Sequence, residues 1–186
     1  MVSNDVTRCS WCNLDNDLYV KYHDDEWGVP NFDDDYLFEM LILECFQAGL
    51  SWEIILNKRE NFRVAFDGFD IDKIINYDDK KIESLCEDKG IIRNKLKINA
   101  AVNNSRVFKD IVSEFGSFYD YLCEFTGGEI FYESHLTTSE LSDNISKDLK
   151  SRGMKFVGSI TIYSFLQAVG IINSHDDNCF MHVDGD

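Results

Sequence analysis

The chain has 186 residues, 44% hydrophobic and 13% aromatic, with 18 basic against 34 acidic residues and a formal charge of −16. A chain of this length fits one compact domain that buries roughly 70% of its unfolded surface without staples, and so much negative charge argues against non-specific adhesion to DNA or an anionic membrane, though not against a local basic face. One proline and no Gly/Ser-rich run argue against linkers, the start MVSNDVTRCS has no apolar stretch for a signal peptide, and no window approaches 18 apolar residues, so no membrane span is expected.

Helical periodicity dominates from the first third onward. Tyr36-Leu37, Met40-Leu41, Glu44-Cys45 and Ala48 recur every three to four residues, and the run Asp33–Asp35 suits a helix N-terminus. A second helix is predicted over about 51–65, with Trp52, Ile55-Leu56, Phe62 and Ala65-Phe66 on one face. Short helices follow over 70–77 and 78–88, the latter stopped by Gly90. Helices are also predicted over 93–114, 117–125, 142–152 and 159–172, with an irregular loop over 126–138. Alternating strand patterns are scarce, so the fold class is all-α, with no internal repeat.

Charge is distributed unevenly. Lys89, Arg93, Lys95, Lys97, Arg106 and Lys109 form a stretch without an acidic residue, and Lys147, Lys150, Arg152 and Lys155 surround only Asp148. Each run reads either as a solvated helix face or as part of a DNA-facing surface. Cys45, Cys86 and Cys123 sit in apolar or helical contexts and read as buried small hydrophobes. Cys9, Cys12 and Cys179 lie near the chain ends, close to histidines.

Leu141, Ile145 and Leu149 form an i, i+4, i+8 stripe that Gly153 ends. The tight connection MKFVG leads to Ser159 and a second helix. Such a hairpin leaves N–H groups free at a helix N-terminus, which suits a phosphate oxygen, and Gly158 allows close approach beside the charge of Lys150, Arg152 and Lys155. An ordinary αα-hairpin remains the alternative. His175 and Cys179 stand four apart and could share a metal ion; Cys9 and His23 could complete a closed, structural Cys₂His₂ zinc site that joins the termini. Cys9-x2-Cys12 resembles half a zinc knuckle but lacks a second CxxC, and His135 and His182 remain spare candidates. Glu44 interrupts the apolar run LILECFQAGLSW, and every tryptophan (Trp11, Trp27, Trp52) lies in the first 52 residues with Tyr19 and Tyr22. A buried carboxylate among aromatic faces fits a flat, electron-poor heterocycle bearing N–H groups; a core Glu44 bonded to a tyrosine hydroxyl is the alternative.

Read together, RCSW, YVKYHDDEWGVP, LFEMLILECFQAGLSW, KREN, GIIRNKLKI, RGMKFVGSITIYSFLQAVG and the final His-x3-Cys resemble the 3-methyladenine DNA glycosylase I (Tag) family over about residues 8–179. The resemblance implies an all-α fold of the helix–hairpin–helix glycosylase superfamily, with one structural zinc on Cys9, His23, His175 and Cys179 linking segments 8–30 and 173–182. It implies a hydrolase that releases 3-methyladenine from double-stranded alkylated DNA. Glu44 would hold the base with Tyr19, Tyr22 and Trp52, and with Trp11 and Trp27 as further contributors. Lys155, Phe156, Val157 and Gly158, in a hairpin element over about 142–172, would hold the DNA backbone, and Leu50 would fill the gap left by the extruded nucleotide. The expected protein is a single glycosylase domain over 1–186, cytoplasmic, monomeric and without membrane contact. Counting about twenty residues from Gly158 lands near Asp176–Asn178, where many helix–hairpin–helix glycosylases carry a catalytic Asp; the resemblance places zinc ligands there instead. No lysine stands where a lyase nucleophile is expected, so a monofunctional enzyme that leaves an abasic site is expected. The rivals are a non-catalytic zinc-stabilised DNA-binding module and a zinc hydrolase, which would need an open coordination position.

Overall fold

The computed structural model describes residues 6–183. Its centre is helix α2 (Asp34–Gln47), in which every residue from Leu37 to Phe46 is buried. A helix apolar on all sides must be enclosed by neighbours, and α2 packs against α3 (Trp52–Leu56), α7 (Lys95–Phe115), α8 (Phe118–Thr126) and α10 (Ser159–Ala168). Helix α9 (Glu140–Ser151) covers the far side of α10, and α6 (Asp79–Glu87) and the short α5 (Ile71–Ile74) cover α7. Caps fix several starts: Asp33 accepts from the N–H groups of Asp35 and Tyr36, and Asn94 from those of Leu96 and Lys97. No helix among the described residues is long and apolar enough to cross a membrane.

The helical expectation is met with four local corrections. The helix expected over 51–65 is two, α3 and α4 (Arg59–Ala65). The break falls at Asn57, whose side chain accepts from Asn16, and at Lys58, whose ammonium holds the carbonyls of Lys89 and Gly90 at 3.3 and 3.0 Å. Helix α1 (Asp17–Asp25) had no prediction, because only Val20, Tyr22 and His23 of its nine residues are buried and no apolar stripe results. The last helix ends at Ala168, not 172. There Gly170 turns with φ +76°, and a Cβ would stand 2.4 Å from the backbone of Val29 and Pro30, so only glycine fits. The chain beyond it forms β2 (Ile172–Asn173), parallel to β1 (Phe131–Tyr132) inside the segment expected as loop. Of the three cysteines expected in the core, Cys45 is buried, whereas Cys86 and Cys123 are half-buried.

Candidate active site and metal centre

Helix α1 places two sites side by side, with Trp11 and Trp27 packed between them. Asn16 caps it by accepting from Leu18 and Tyr19, and the Asn13 and Asn16 amides both donate to Glu53 Oε1 at 2.8 Å, tying α1 to α3. Tyr19 and Tyr22 then share one face (i, i+3) and line a cavity of about 440 Å³ with Trp11, Trp27, Glu44, Gln47 and Trp52. All six residues expected to bind a base are therefore brought to one cavity. Tyr22 and Trp52 lie 5.2 Å apart, centroid to centroid, at 46°; Trp11 meets Trp27 edge-on at 4.7 Å.

Glu44 is 3% exposed, and its Oε2 finds no hydrogen-bond partner. The alternative of a carboxylate satisfied by a tyrosine hydroxyl is thus not met at that oxygen. Burial pushes the Glu44 carboxyl up to about 8, so with no charged partner it favours the protonated acid near neutral pH. Trp52 Nε1–H is also buried without a partner. Ser174 Oγ is a third such atom, and three unsatisfied polar atoms on residues lining one aromatic-walled cavity fit a site completed by its ligand.

One residue beyond Tyr22, His23 joins Cys9, His175 and Cys179, all buried, with one ligand atom of each within 4.8 Å of the others. Cys9 Sγ lies 3.3 Å from His175 Nδ1, and Cys179 Sγ lies 3.4 Å from His23 Nε2 and 3.6 Å from His175 Nδ1. Tetrahedral metal bonds to N and S imply ligand–ligand edges of about 3.3–3.8 Å, so the donor set fits one ion. The surrounding contacts orient the ligands as metal sites require. His23 Nδ1 meets Asp24 at 2.8 Å, and Arg8 holds Asp24 with two hydrogen bonds. His175 Nε2 faces the Trp27 carbonyl at 3.2 Å, and the N–H groups of Asp176 and Met181 point to the two sulfurs. Burial pushes the Cys9 thiol up to about 12 and His175 down to about 4; a dication is what makes two buried thiolates tolerable. Gly28, at φ +75°, keeps clear of His175, whose ring a Cβ there would crowd at 3.0 Å. Cys12 is buried outside this group, and His182 binds the His175 carbonyl.

The hairpin between α9 and α10 is held from beneath by α7. Asn104, fully buried, donates to the Lys155 carbonyl and accepts from its N–H, each at 2.8 Å; Asn103 donates to Gly153 O and Ser146 to Val157 O. Phe156 takes φ +58° and is partly exposed, Lys155 is exposed, and a Cβ on Gly158 would meet open space. The Val157 side chain is buried, so only its backbone is offered outward. Arg152, expected to add charge here, is engaged by Glu114 and Asp148. Lys97 is buried and caps the end of α2 at the Phe46 and Ala48 carbonyls (2.8 and 2.6 Å). Leu50 sits half-buried in the turn just beyond, its N–H on the Gln47 carbonyl at 2.7 Å.

The reading from sequence missed His135, Leu136, Ser164, Gln167 and Ser174 in the cavity wall. Ser164 and Gln167 left a usable signal, a polar i, i+3 pair in the otherwise apolar ITIYSFLQAVG. His135 and Leu136 lie in an irregular segment whose fold nothing local specifies. Asp176 also lines the cavity, and its Oδ2 accepts from the Ser10 N–H at 2.7 Å.

Comparison with known proteins places these features. The profile of the methyladenine glycosylase family matches residues 11–182. DNA-3-methyladenine glycosylase 1 of Escherichia coli (strain K12) is 43% identical over 180 residues, covering 94% of this chain and 96% of that protein. A crystal structure of 3-methyladenine DNA glycosylase I superposes with a TM-score of 0.91 at 41% identity, over 95% of this chain and 100% of that one. The Staphylococcus aureus 3-methyladenine DNA glycosylase I, solved for the structural basis of its 3-methyladenine recognition, gives a TM-score of 0.90 at 31% identity, over 96% and 98% of the two chains.

Proposed function

The chain belongs to the methyladenine glycosylase family, and from that premise we propose that it hydrolyses the N-glycosidic bond of 3-methyladenine in double-stranded alkylated DNA, releasing the free base and leaving an abasic site. The observation that carries this reading is the partnerless Glu44 carboxyl in the aromatic cavity. A DNA-binding module without chemistry has no need of it.

Methylation at N3 makes adenine cationic and already a good leaving group. The protein's task is to take the nucleotide out of the stack, which costs a few kcal/mol, to select the base, and to favour the oxocarbenium-like sugar. The base enters the cavity lined by Tyr19, Tyr22 and Trp52, with Trp11 and Trp27 as further contributors to its aromatic wall. Its N–H groups meet Glu44. An N–H-bearing cation replaces the hydration that Glu44 lost on burial, so the carboxyl ionises as the base arrives. Glu44 then works mainly in selection, and only the part of its interaction that grows toward the transition state accelerates cleavage. No lysine lines the cavity among the described residues, which supports a monofunctional hydrolase over an imine-forming lyase.

The hairpin is read as a helix–hairpin–helix element whose Lys155, Phe156, Val157 backbone and Gly158 hold the DNA phosphates, with Leu50 as the wedge. Zinc on Cys9, His23, His175 and Cys179 would tie the two ends of a single glycosylase domain; with all four positions filled by protein it supplies structure, not chemistry. The enzyme is read as a cytoplasmic monomer. The test is release of 3-methyladenine from methylated duplex DNA by the wild-type protein and by Glu44→Gln. Release by the wild type and its near-loss in a folded variant support the reading; equal rates remove Glu44 from it.

A further inference from the structure

We propose that a second basic surface, built from Lys58, Lys89, Arg93 and Lys95 and separate from the hairpin, holds the phosphate backbone of the duplex arm on the far side of the Ala48–Leu50 turn. This rests on the DNA-repair reading above. The argument begins with how the protein spends its cations. Arg59 and Arg63 grip Glu39, Lys81 grips Asp67, Lys109 grips Asp72, and Arg152 grips Asp148. Lys58, Lys89, Arg93 and Lys95 have no carboxylate partner among the described residues, in a chain of charge −16 where carboxylates are abundant. Positive charge left unneutralised against such an excess forms a local patch of opposite sign.

Three of the four line one hollow of about 560 Å³, whose floor is Ile91, Ile92 and Cys86. The hollow is rigidly placed: Lys58 Nζ bonds the Lys89 and Gly90 carbonyls, and Asp88 turns inward to the Gly90 N–H at 2.7 Å. Lys89, Arg93 and Lys95 are exposed. Beyond Lys95, Lys97 is turned inward from the first turn of α7 to the Phe46 and Ala48 carbonyls and stands 5.8 Å from the Phe156 ring, so the exposed cations begin close to the hairpin. The surface therefore runs from the hairpin tip past the end of the helix that carries Glu44. A duplex held at the hairpin, with its damaged nucleotide in the cavity, meets these cations with its next stretch of backbone. The chemistry is phosphate recognition by point charges, which positions DNA without reading its sequence.

The test is the salt dependence of binding to an undamaged duplex. Each phosphate contact contributes about 0.9 to the slope of log K against log salt concentration. The combined variant Lys89→Gln, Arg93→Gln, Lys95→Gln is expected to lower the slope by about 2 to 3. A control with the same change in net charge, Lys21→Gln, Lys73→Gln, Lys81→Gln, removes cations already paired with carboxylates and is expected to leave the slope unchanged. All six side chains are at least partly solvent-facing, and thermal unfolding checks that both proteins fold. An unchanged slope in the first variant, or an equal drop in both, overturns the inference. Base release by the wild type is scored separately: without it the glycosylase reading falls while the slope still reports the backbone contact.

Discussion

Tyr19 and Tyr22 turn one side of α1 toward the aromatic cavity; His23, the next residue, turns toward the cysteine–histidine cluster. The two sites share a helix and an abundance of buried polar atoms, yet they treat those atoms differently. In the cluster each imidazole and each sulfur has an internal partner, and the carboxylate behind His23 is itself clamped by Arg8. In the cavity Glu44 Oε2 and Trp52 Nε1 have none. A polar group buried without a partner costs about 1–3 kcal/mol, a cost that a merely structural site has no reason to carry. Satisfaction therefore separates the part that holds the molecule together from the part that waits for a ligand.

Stripping the metal should give the largest effect and would break this comparison if it did not. Structural zinc in peptides contributes on the order of 10–16 kcal/mol of apparent binding energy. Chelation, or Cys179→Ala, is expected to lower the unfolding temperature by well over 10 °C, and elemental analysis should find about one zinc per chain. Metal-free protein of full stability would end the structural reading of the cluster.

Glu44→Gln should do the reverse, with release of 3-methyladenine falling by about two to three orders of magnitude, the range seen when one preorganised polar group at a reacting centre is lost. Stability should not fall with it. Burial alone holds the Glu44 carboxyl near 8, well above its ordinary 4.5. Between those values the folded protein keeps a proton that the unfolded chain has released. The contribution is thus complete below about pH 4.5 and is lost as pH rises through about 8. Denaturant unfolding of the wild type minus that of Glu44→Gln should therefore show stability declining over this window, by on the order of a few kcal/mol in total. A flat difference would mean that the cavity hydrates Glu44 enough to ionise it without ligand.

The same contrast explains what could be read in advance. A carboxylate at position 44 in an apolar helix and a His-x3-Cys are local patterns; the choice of Cys9 to complete the cluster rests on the family resemblance, and the structure gathers Cys9, His23, His175 and Cys179 into one buried group. Helix α1 left no stripe, because its buried residues serve two separate sites instead of one core face. The end of α10 depends on Gly170 meeting Val29 and Pro30, some 140 residues earlier in the chain. Lys97 and Arg152 carried the charge expected of a DNA-facing run, but one caps a helix and the other is salt-bridged, facts that only the packing contains. Asn104 gave no hint that it grips both sides of the Lys155 peptide unit.

Asp176 tests the boundary between the two sites and should show the smallest effect. Asp176 lines the cavity, and a count of about twenty residues from Gly158 lands near it, where many helix–hairpin–helix glycosylases carry a catalytic Asp. Its bonds belong to the other side: Oδ2 takes the Ser10 N–H, and its own N–H points to Cys9 Sγ. The Ser10 amide also holds its carboxyl below the ordinary carboxylate range, which makes it a poorer proton acceptor for an attacking water. Asn in its place keeps an oxygen for Ser10 and removes only the charge. Asp176→Asn, with the exposed Asp177→Asn beside it, is therefore expected to change base release by less than about threefold, since both amides preserve the hydrogen-bonding shape. A loss of several orders of magnitude from Asp176→Asn would move that residue from the frame of the cluster into the chemistry of the cavity.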